Sequence, residues 1–533
     1  MRDPTRLREL RSSLLAGALA ALEAGQFEEA ERQAGAWAAH DGADTEATML
    51  QGLATAARGD VALAAPLLQR VAAARPDFAH PCRDLARLRP DAPDLVAAAF
   101  RACRALAPRD PRLAYAYADF LLDTDKAAAA AAVLRRVRQS DARFAPAHNL
   151  YGMALIDLGD MEGAVAAFQE AIALNGRDAA AWANLGMALK IEGRFDASFD
   201  AYDRAVAAAP QDAQIRLNRA VALLRAGRMA EAWPDYESRL ALGRPRLPMA
   251  SLLPAIDTLP DLAGRTVLAW HEEGFGDTLQ FARYLPLLAA RGARVVAFVP
   301  AELRRLLRTL DGVAEVLGPP APVPAFDWHV PFFSLPRAFG TTLESIPDQV
   351  PYLAAAPDDA AAWAPLLPAR GLRVGLAWAG QARPWLPGFS ALDRRRSIEP
   401  AELAPLGGLR GVSLVSLQKC PAAAPTTPLP PGMALTDPMP GVADFADTAA
   451  IIAALDVVVS VDTAVAHLAG ALGKPVFLLD RYDNCWRWLA GREDSPWYPA
   501  LRIFRQPRPG DWATPVARVA AELRRLARDG PAR

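Results

Sequence analysis

The sequence predicts an α-helical repeat solenoid followed by an α/β region built of two parallel-sheet domains that face a cleft. Three observations carry this prediction. Small and aromatic residues recur every 34 positions through much of the first half. Short apolar runs alternate with amphipathic stretches through the second half, and a proline-rich junction, Gly243-Arg-Pro-Arg-Leu-Pro248, separates the two.

Composition agrees with several folded domains. The chain has 533 residues, and roughly 100–200 residues per domain allows about three to five of them. Lys plus Arg is 59 and Asp plus Glu is 60, a formal net charge of −1. That balance argues against a basic nucleic-acid binder and against a polybasic membrane anchor. An apolar fraction of 52% with 22% charge supplies ample core material and excludes a largely disordered chain. Cys82, Cys103, Cys420 and Cys485 form neither a disulfide framework nor a CxxC zinc pair. The first 26 residues interrupt their apolar character with Arg2, Arg6, Arg8, Arg11 and Glu23, unlike a signal peptide, and no run of 18 apolar residues occurs. The expectation is a soluble, cytoplasmic protein with no membrane insertion and no nucleic-acid partner.

The repeat is read by offset. Gly152 aligns with Gly186, Gly159 with Gly193, Ala164 with Ser198, Phe168 with Tyr202 and Ala171 with Ala205, each 34 apart. A third copy continues as Ala220, Gly227, Ala232 and Tyr236 and loses the pattern at Arg239. Gly25 and Gly59 are likewise 34 apart, with Ala30 and Ala64 beneath them, while the copies between about 79 and 144 are degenerate. Gly186 and Ser198 are small where paired helices cross, Gly193 suits a left-handed turn, and Pro210 stops a helix. The spacing resembles the tetratricopeptide repeat, clearest in Trp182-Ala-Asn-Leu-Gly186 … Leu189 … Gly193 … Ser198 … Tyr202 … Ala205 … Pro210. One helix pair cannot bury its own apolar face, so about six or seven copies would stack into one solenoid over residues 1–244. Each single Gly or aromatic reads as packing; the concave groove of the array reads as a docking surface for an extended peptide or another protein.

After the junction, Thr266–Trp270, Arg294–Val299, Val313–Leu317 and Trp328–Val330 read as strands, with helices at Gln280–Ala290 and Glu302–Leu310. A Pro- and Ala-rich passage from Ala354 to Arg370 precedes a second series of strands, Leu372–Ala379, Ser413–Leu417, Val457–Ser460 and Val476–Leu479. Pro515–Arg528 reads as a terminal amphipathic helix. Such alternation implies two Rossmann-like domains facing a cleft, one over 245–360 and one over 361–533.

Ligands of open parallel sheets bind beyond the carboxyl ends of the strands, so loops that follow strands are the candidates. The first is Gly274-Phe-Gly276-Asp277-Thr278, after the strand ending at Trp270. Gly276 lets backbone approach a ligand, and Asp277 either accepts a proton from a hydroxyl or merely caps the helix. The second is Ser460-Val-Asp462-Thr463-Ala464-Val-Ala-His467, where Asp462 and Thr463 are N-cap types and the following amides form an anion site. His467, one turn inside, would contact phosphate, base or sugar, or is simply a buried, satisfied histidine. The third is Asp393-Arg-Arg-Arg396-Ser397, past the strand that leads to Gly380. Arginine runs usually cover a solvated face, yet in a cleft one can clamp a phosphate bidentately, with Gln418-Lys419 at the same end of the sheet.

Taken together these runs resemble a known family. Val459-Ser-Val-Asp-Thr-Ala-Val-Ala-His-Leu-Ala-Gly-Ala-Leu-Gly-Lys-Pro475 is similar to the donor-binding motif of lipopolysaccharide heptosyltransferases, and Gly276-Asp277-Thr278 to their acceptor-side motif. The stretch from about 262 to 525 resembles bacterial proteins that fuse tetratricopeptide repeats to a heptosyltransferase-like glycosyltransferase-B module. His271–Tyr284, Asp393–Ser397, Asp444–Thr448 and Arg492–Tyr498 contribute to that likeness. One position departs. Heptosyltransferases usually have Gly after Asp-Thr, where this chain has Ala464, whose methyl group would crowd a pyrophosphate and counts against an ADP-heptose donor.

The resemblance implies a protein O-glycosyltransferase, inverting and metal-independent, that moves a sugar from a nucleotide-sugar to Ser or Thr of a protein docked on the repeats. The flagellin-modifying members of the group point to CMP-nonulosonic acid as donor and flagellin as acceptor. Asp277 would be the catalytic base. Gly276, Gly380, Arg396, Gln418, Lys419, Asp462, Thr463, Ala464 and His467 would bind the donor, with no metal and no further cofactor. The second half has no DxD triplet; Asp123-Thr-Asp125, in the repeats, reads as a loop. The alternatives are a non-catalytic repeat scaffold with a nucleotide-binding fold, or a transferase that uses a UDP-sugar or ADP-heptose.

Overall fold

The computed structural model describes residues 4–75, 80–243, 247–258, 262–380, 393–419 and 429–529. From Pro4 to Leu242 the described chain is helical, in antiparallel pairs such as Ala145–Asp157 with Met161–Leu174 and Ala213–Arg225 with Met229–Tyr236. Local chemistry explains the pairing. Gly159, Gly193 and Gly227 stand in the turns between paired helices at φ 80°, 75° and 83°, a region only glycine enters without penalty. Asp125, one period before Gly159, takes the same conformation at φ 61°; Asp123-Thr-Asp125, which the sequence reads as a loop, is the last residue of helix Pro111–Asp123 and the turn after it. A Cβ on Gly152 would stand 2.5 Å from the Phe168 ring, which is why the small residue recurs there. Asp110, Asp178 and Asp212 accept amide hydrogen bonds of the helices they precede, satisfying first-turn donors that otherwise have no partner.

The chain divides into two compact units, Met1–Ala188 and Leu189–Arg533. The division falls inside the helical array: helices Phe195–Ala208, Ala213–Arg225 and Met229–Tyr236 belong to the same unit as all the strands. The change from helices to strands comes later, between Leu242 and Thr266.

The second unit holds two parallel sheets. The first orders its strands β3-β2-β1-β4, with β1 Thr266–Trp270, β2 Arg294–Phe298, β3 Val313–Leu317 and β4 Trp328–Pro331. The second orders them β10-β9-β8-β5-β6-β7: β5 Leu372–Ala377, β6 Val412–Ser416, β7 Leu435–Thr436, β8 Val457–Val461, β9 Val476–Asp480 and β10 Leu501–Arg505. The predicted strands are present to within two residues at their ends. β7 and β10 were not foreseen: β7 is two residues long, and β10 breaks its apolar pattern with exposed Arg502 at the sheet edge. The Pro- and Ala-rich passage carries a helix, Pro357–Trp363, whose Trp363 indole donates to Asp447. The terminal helix, Ala513–Asp529, lays Val516, Val519, Ala520 and Leu523 against the second sheet's core. This is a tetratricopeptide-type helical array followed by a parallel-sheet region of the glycosyltransferase-B kind.

Strand order positions the site. In the first sheet the order reverses at β1 and β4, in the second at β5 and β8, and crevices open at the carboxyl ends of strands at such switch points. The loops after β1, β5 and β8 are the three that the sequence singles out.

Candidate functional site

After β1 the chain turns at Gly274, at φ 66°, into the short helix Phe275–Phe281. Asp277 sits in its first turn, 21% exposed at the side chain, and pairs with a terminal nitrogen of Arg487. It is therefore not a simple helix cap. Withdrawal from water pushes its carboxyl up to about 6 against the pull of Arg487, with Asp462, Glu272 and Glu273 adding to the rise. A carboxylate of that strength is mostly ionised at pH 7 and basic enough to take a proton as a hydroxyl reacts. Thr278 is buried, its hydroxyl 2.8 Å from Nδ1 of His271.

The loop after β8 enters helix Ala464–Ala471 through Thr463, an extended N-cap residue at φ −141°. The Thr463 hydroxyl bonds to that of Ser460, 3.0 Å away, and makes no cap hydrogen bond to the helix. The N-cap side chain thus leaves the first-turn amides at the positive end of this helix uncapped. His467, 3% exposed, keeps Nδ1 3.0 Å from the Tyr498 hydroxyl and Nε2 4.0 Å from Asp462 Oδ1, with its ring stacked on Trp488 at 5.0 Å. Burial drives its pKa down to about 3, so the ring is neutral at physiological pH. Of the two readings open from the sequence, the geometry is that of the buried, satisfied histidine.

These two loops meet. A Cβ on Gly276 would stand 2.8 Å from His467 Cδ2 and 3.3 Å from Ala464 Cα. Glycine here lets helix Phe275–Phe281 lie directly on the start of helix Ala464–Ala471, a packing reason beside the ligand-approach reason expected from the sequence. Asp277 is thereby carried toward the start of helix Ala464–Ala471.

The loop after β5 is organised separately. Gln418 Oε1 accepts from the amides of Trp378 and Ala379, at 3.1 and 2.9 Å, which fixes the exit of β5. A Cβ on Gly380 would stand 2.5 Å from Arg396 Cζ, so the guanidinium lies against the glycine while it pairs with Asp393 at 2.9 Å. Arg395 pairs with Asp483 at 3.3 Å, tying this loop to the one after β9. Lys419 is exposed at the residue level, yet its Nζ donates to the carbonyl of Val442. Register sets Ala377 of β5 beside Ser460 of β8, so Gly380, Arg396 and Gln418 share a sheet end with Asp462 and Thr463.

Sequence reasoning missed Arg487, the partner of Asp277. It lies between two tryptophans, its guanidinium 4.6 Å over the Trp486 ring and 5.6 Å over Phe333. An arginine in so aromatic a run needs a buried acceptor, and that was the available signal. Two other motif runs turn out to be structural. Asp444 caps helix Phe445–Ala453 and joins Asp447 in an ion-pair cluster with Arg305 from the first sheet's side. Trp497 and Tyr498 stack around Arg283, 5.4 and 4.9 Å from its guanidinium, and Arg283 also donates to the carbonyl of Trp497 at 2.8 Å. No helix among the described residues is long and apolar enough to cross a membrane.

Comparison with known proteins agrees with this anatomy. Residues 15–77, 152–213 and 192–246 match the tetratricopeptide repeat family, and residues 439–490 match glycosyltransferase family 9 (heptosyltransferase). The second match spans β8, helix Ala464–Ala471, β9 and the turn bearing Arg487. The chain is 28% identical over 326 residues to Protein FlbA of Caulobacter vibrioides, covering 55% of this chain and 52% of that protein. It thus spans about half the length of the curated relative it matches. Among solved structures, MamA is 23% identical with a TM-score of 0.26, covering 30% of this chain and 92% of MamA. The hetero-tetramer Cut9-Hcn1 of the APC/C is 18% identical with a TM-score of 0.30, covering 44% of this chain and 46% of that one.

Proposed function

We propose that the chain, which joins tetratricopeptide repeats to a glycosyltransferase family 9 segment, is a protein O-glycosyltransferase. One observation carries the reading: Gly276 seats the helix of Asp277 against the N-terminus of helix Ala464–Ala471, so a partly buried carboxylate and an open helix N-terminus share one place. In the proposed reaction a Ser or Thr hydroxyl oxygen attacks the anomeric carbon of the donor. Its proton passes to Asp277, and the bond from that carbon to the nucleotide phosphate breaks. The departing phosphate, gaining negative charge, is met by the first-turn amides after Thr463 and by Arg396 and Lys419, the electrostatic contribution that usually dominates such transfers. Single displacement inverts the anomeric centre, and the positive charges named need no metal to assist them. His467, neutral and enclosed, supports the helix instead of pairing with the phosphate.

The acceptor is proposed to lie on the repeat array, whose stacked helices form an extended surface. Flagellin and a CMP-nonulosonic acid donor are the proposed pair, in keeping with the likeness to flagellin-modifying proteins of this build and with Ala464 in place of glycine. Thermal-shift titration with CMP, UDP, ADP and GDP, followed by transfer assays on flagellin, tests the reading. CMP is expected to raise the second-unit transition selectively, since saturation at 100 times Kd adds about 2.7 kcal/mol. Asp277→Asn is expected to keep that shift and to lose roughly 10²–10⁴-fold in transfer. No shift with any nucleotide, together with no transfer, would leave a repeat scaffold as the better account.

A further inference from the structure

The turn that offers Arg487 to Asp277 is held from a part of the chain outside the proposed chemistry. It belongs to the segment 482–490 that follows β9. Arg225, the last residue of helix Ala213–Arg225, is 5% exposed and reaches into that segment. Its Nε donates to Asn484 Oδ1 at 2.7 Å, one terminal nitrogen lies 3.5 Å from the Tyr482 carbonyl, and the other donates to the Lys190 carbonyl at 2.6 Å. Asn484 passes the link on, its Nδ2 donating to the Leu489 carbonyl at 2.7 Å. The Ala490 amide returns to the Arg225 carbonyl at 3.0 Å. Both ends of the segment are therefore tied to one residue.

The middle is gripped as well. Trp486 stands edge-on to Trp233 and Tyr236 of helix Met229–Tyr236, with centroids 6.1 and 5.9 Å apart, and stacks on Phe281, at the end of the Asp277 helix, at 6.4 Å. Leu489 is held at φ 53°, a conformation a leucine keeps only where its surroundings impose it. Burial of Arg225 pulls its pKa down to about 10, so it remains a cation at neutral pH. A buried cation with neutral acceptors is tolerated only while their geometry is preserved, which makes Arg225 a stiff tether.

We propose that Arg225 is a positioning residue for the reaction: by fixing segment 482–490 it holds Arg487 against Asp277, and the final repeat helices are thereby part of the catalytic apparatus. The proposal rests on the reading of Asp277 as the base. It assigns Arg225 no contact with substrate.

The segment contains its own reporter. Cys485 is half-buried, and its Sγ lies 3.1 Å from a terminal nitrogen of Arg487. In the full chain, iodoacetamide alkylation at Cys485, followed by peptide mass spectrometry, is compared for the wild type, Arg225→Ala, Asn484→Ala and the double variant. Each single variant is expected to raise the rate by at least about tenfold, since each removes the Arg225–Asn484 hydrogen bond to a charged group. The double variant is expected to fall well short of the product of the two single effects, because both remove the same Arg225–Asn484 link. Asn484→Ala changes no residue of the repeat helix, so a rise in both singles separates release of the tether from misfolding of the repeats.

The second readout is transfer of a nonulosonic acid from its CMP donor to flagellin as a function of pH. Asp277 must be ionised to act, so the rate rises with pH through its pKa. Losing a well-placed Arg487 raises that pKa, and Arg225→Ala is expected to move the acid limb to higher pH and to lower kcat with little change in donor KM. Wild-type alkylation rates in a folded Arg225→Ala protein would overturn the proposal. Faster alkylation with an unmoved acid limb and unchanged kcat would overturn it too. Failure of wild-type transfer with this donor would count against the reading of Asp277 and the catalytic part of the proposal, while the alkylation rates would still decide the tether.

Discussion

At the residue scale the site is a study in what burial does to charge. Asp277 and His467 lie close together and are shifted in opposite directions by the same cause: loss of water raises the acid to about 6 and lowers the base to about 3. His467 has a consequence for stability. An unfolded chain protonates histidine near 6.5, whereas the folded ring does so only near 3. Between those values the unfolded state binds a proton that the folded state refuses. The contribution is complete above about 6.5 and is lost as pH falls toward 3. Melting of the second unit between pH 7 and 4 is expected to fall less steeply in His467→Gln than in the wild type; parallel slopes would show that another group governs the acid loss. Asp277, Asp462, Gly276 and His467 were noticeable in the sequence as candidates because each lies in a short run after a strand. Arg487 was not, because its partner is more than two hundred residues earlier in the chain and no local pattern announces that meeting.

At the scale of elements, the decisive contact is helix on helix. Phe275–Phe281 and Ala464–Ala471 come from different sheets and touch through Gly276. Gly276→Ala would place a methyl carbon 2.8 Å from His467 Cδ2 and 3.3 Å from backbone at Ala464, so one helix must shift. Overpacking of this kind costs about 1–3 kcal/mol, and the variant is expected to melt lower and to lose transfer more than it loses nucleotide binding. Equal loss of both would place the damage in the nucleotide site itself. Strand elements were readable where apolar residues run unbroken, as in Val457–Val461, and unreadable where the edge strand β10 alternates with arginine. In the Pro- and Ala-rich passage Ala354–Arg370, to which the sequence reading assigns no element, alanine's helix propensity forms Pro357–Trp363 once proline opens the first turn.

For the whole molecule, the sequence motif and the compact units divide the chain differently. The repeat pattern runs to Tyr236, yet compactness breaks between Ala188 and Leu189. Trp233 explains the difference within the second unit: its indole donates to the Thr341 carbonyl at 2.7 Å, and its ring meets Trp486. A fragment of residues 189–533 is expected to melt like the second unit of the full chain. One of residues 245–533 loses the Trp233 and Tyr236 contacts and is expected to be less stable by at least about 3 kcal/mol, the usual magnitude for removing a large buried aromatic. Denaturant unfolding of the two fragments checks this, and equal midpoints would show that the last repeat helices add nothing to the unit.

Periodicity, turn glycines, capping aspartates and apolar runs act over a few residues, so the sequence alone determined the helical array, most of the strands and the three loops at the sheet ends. Pairings between distant segments are another matter. That Asp277 meets Arg487, that Gly276 lies on Ala464, and that Arg225 ties down segment 482–490 follow from how the sheets and helices of the second unit pack. Each of those pairings depends on the sum of many weak apolar contacts, which places two charges or two backbones together without leaving any spacing in the chain to mark them.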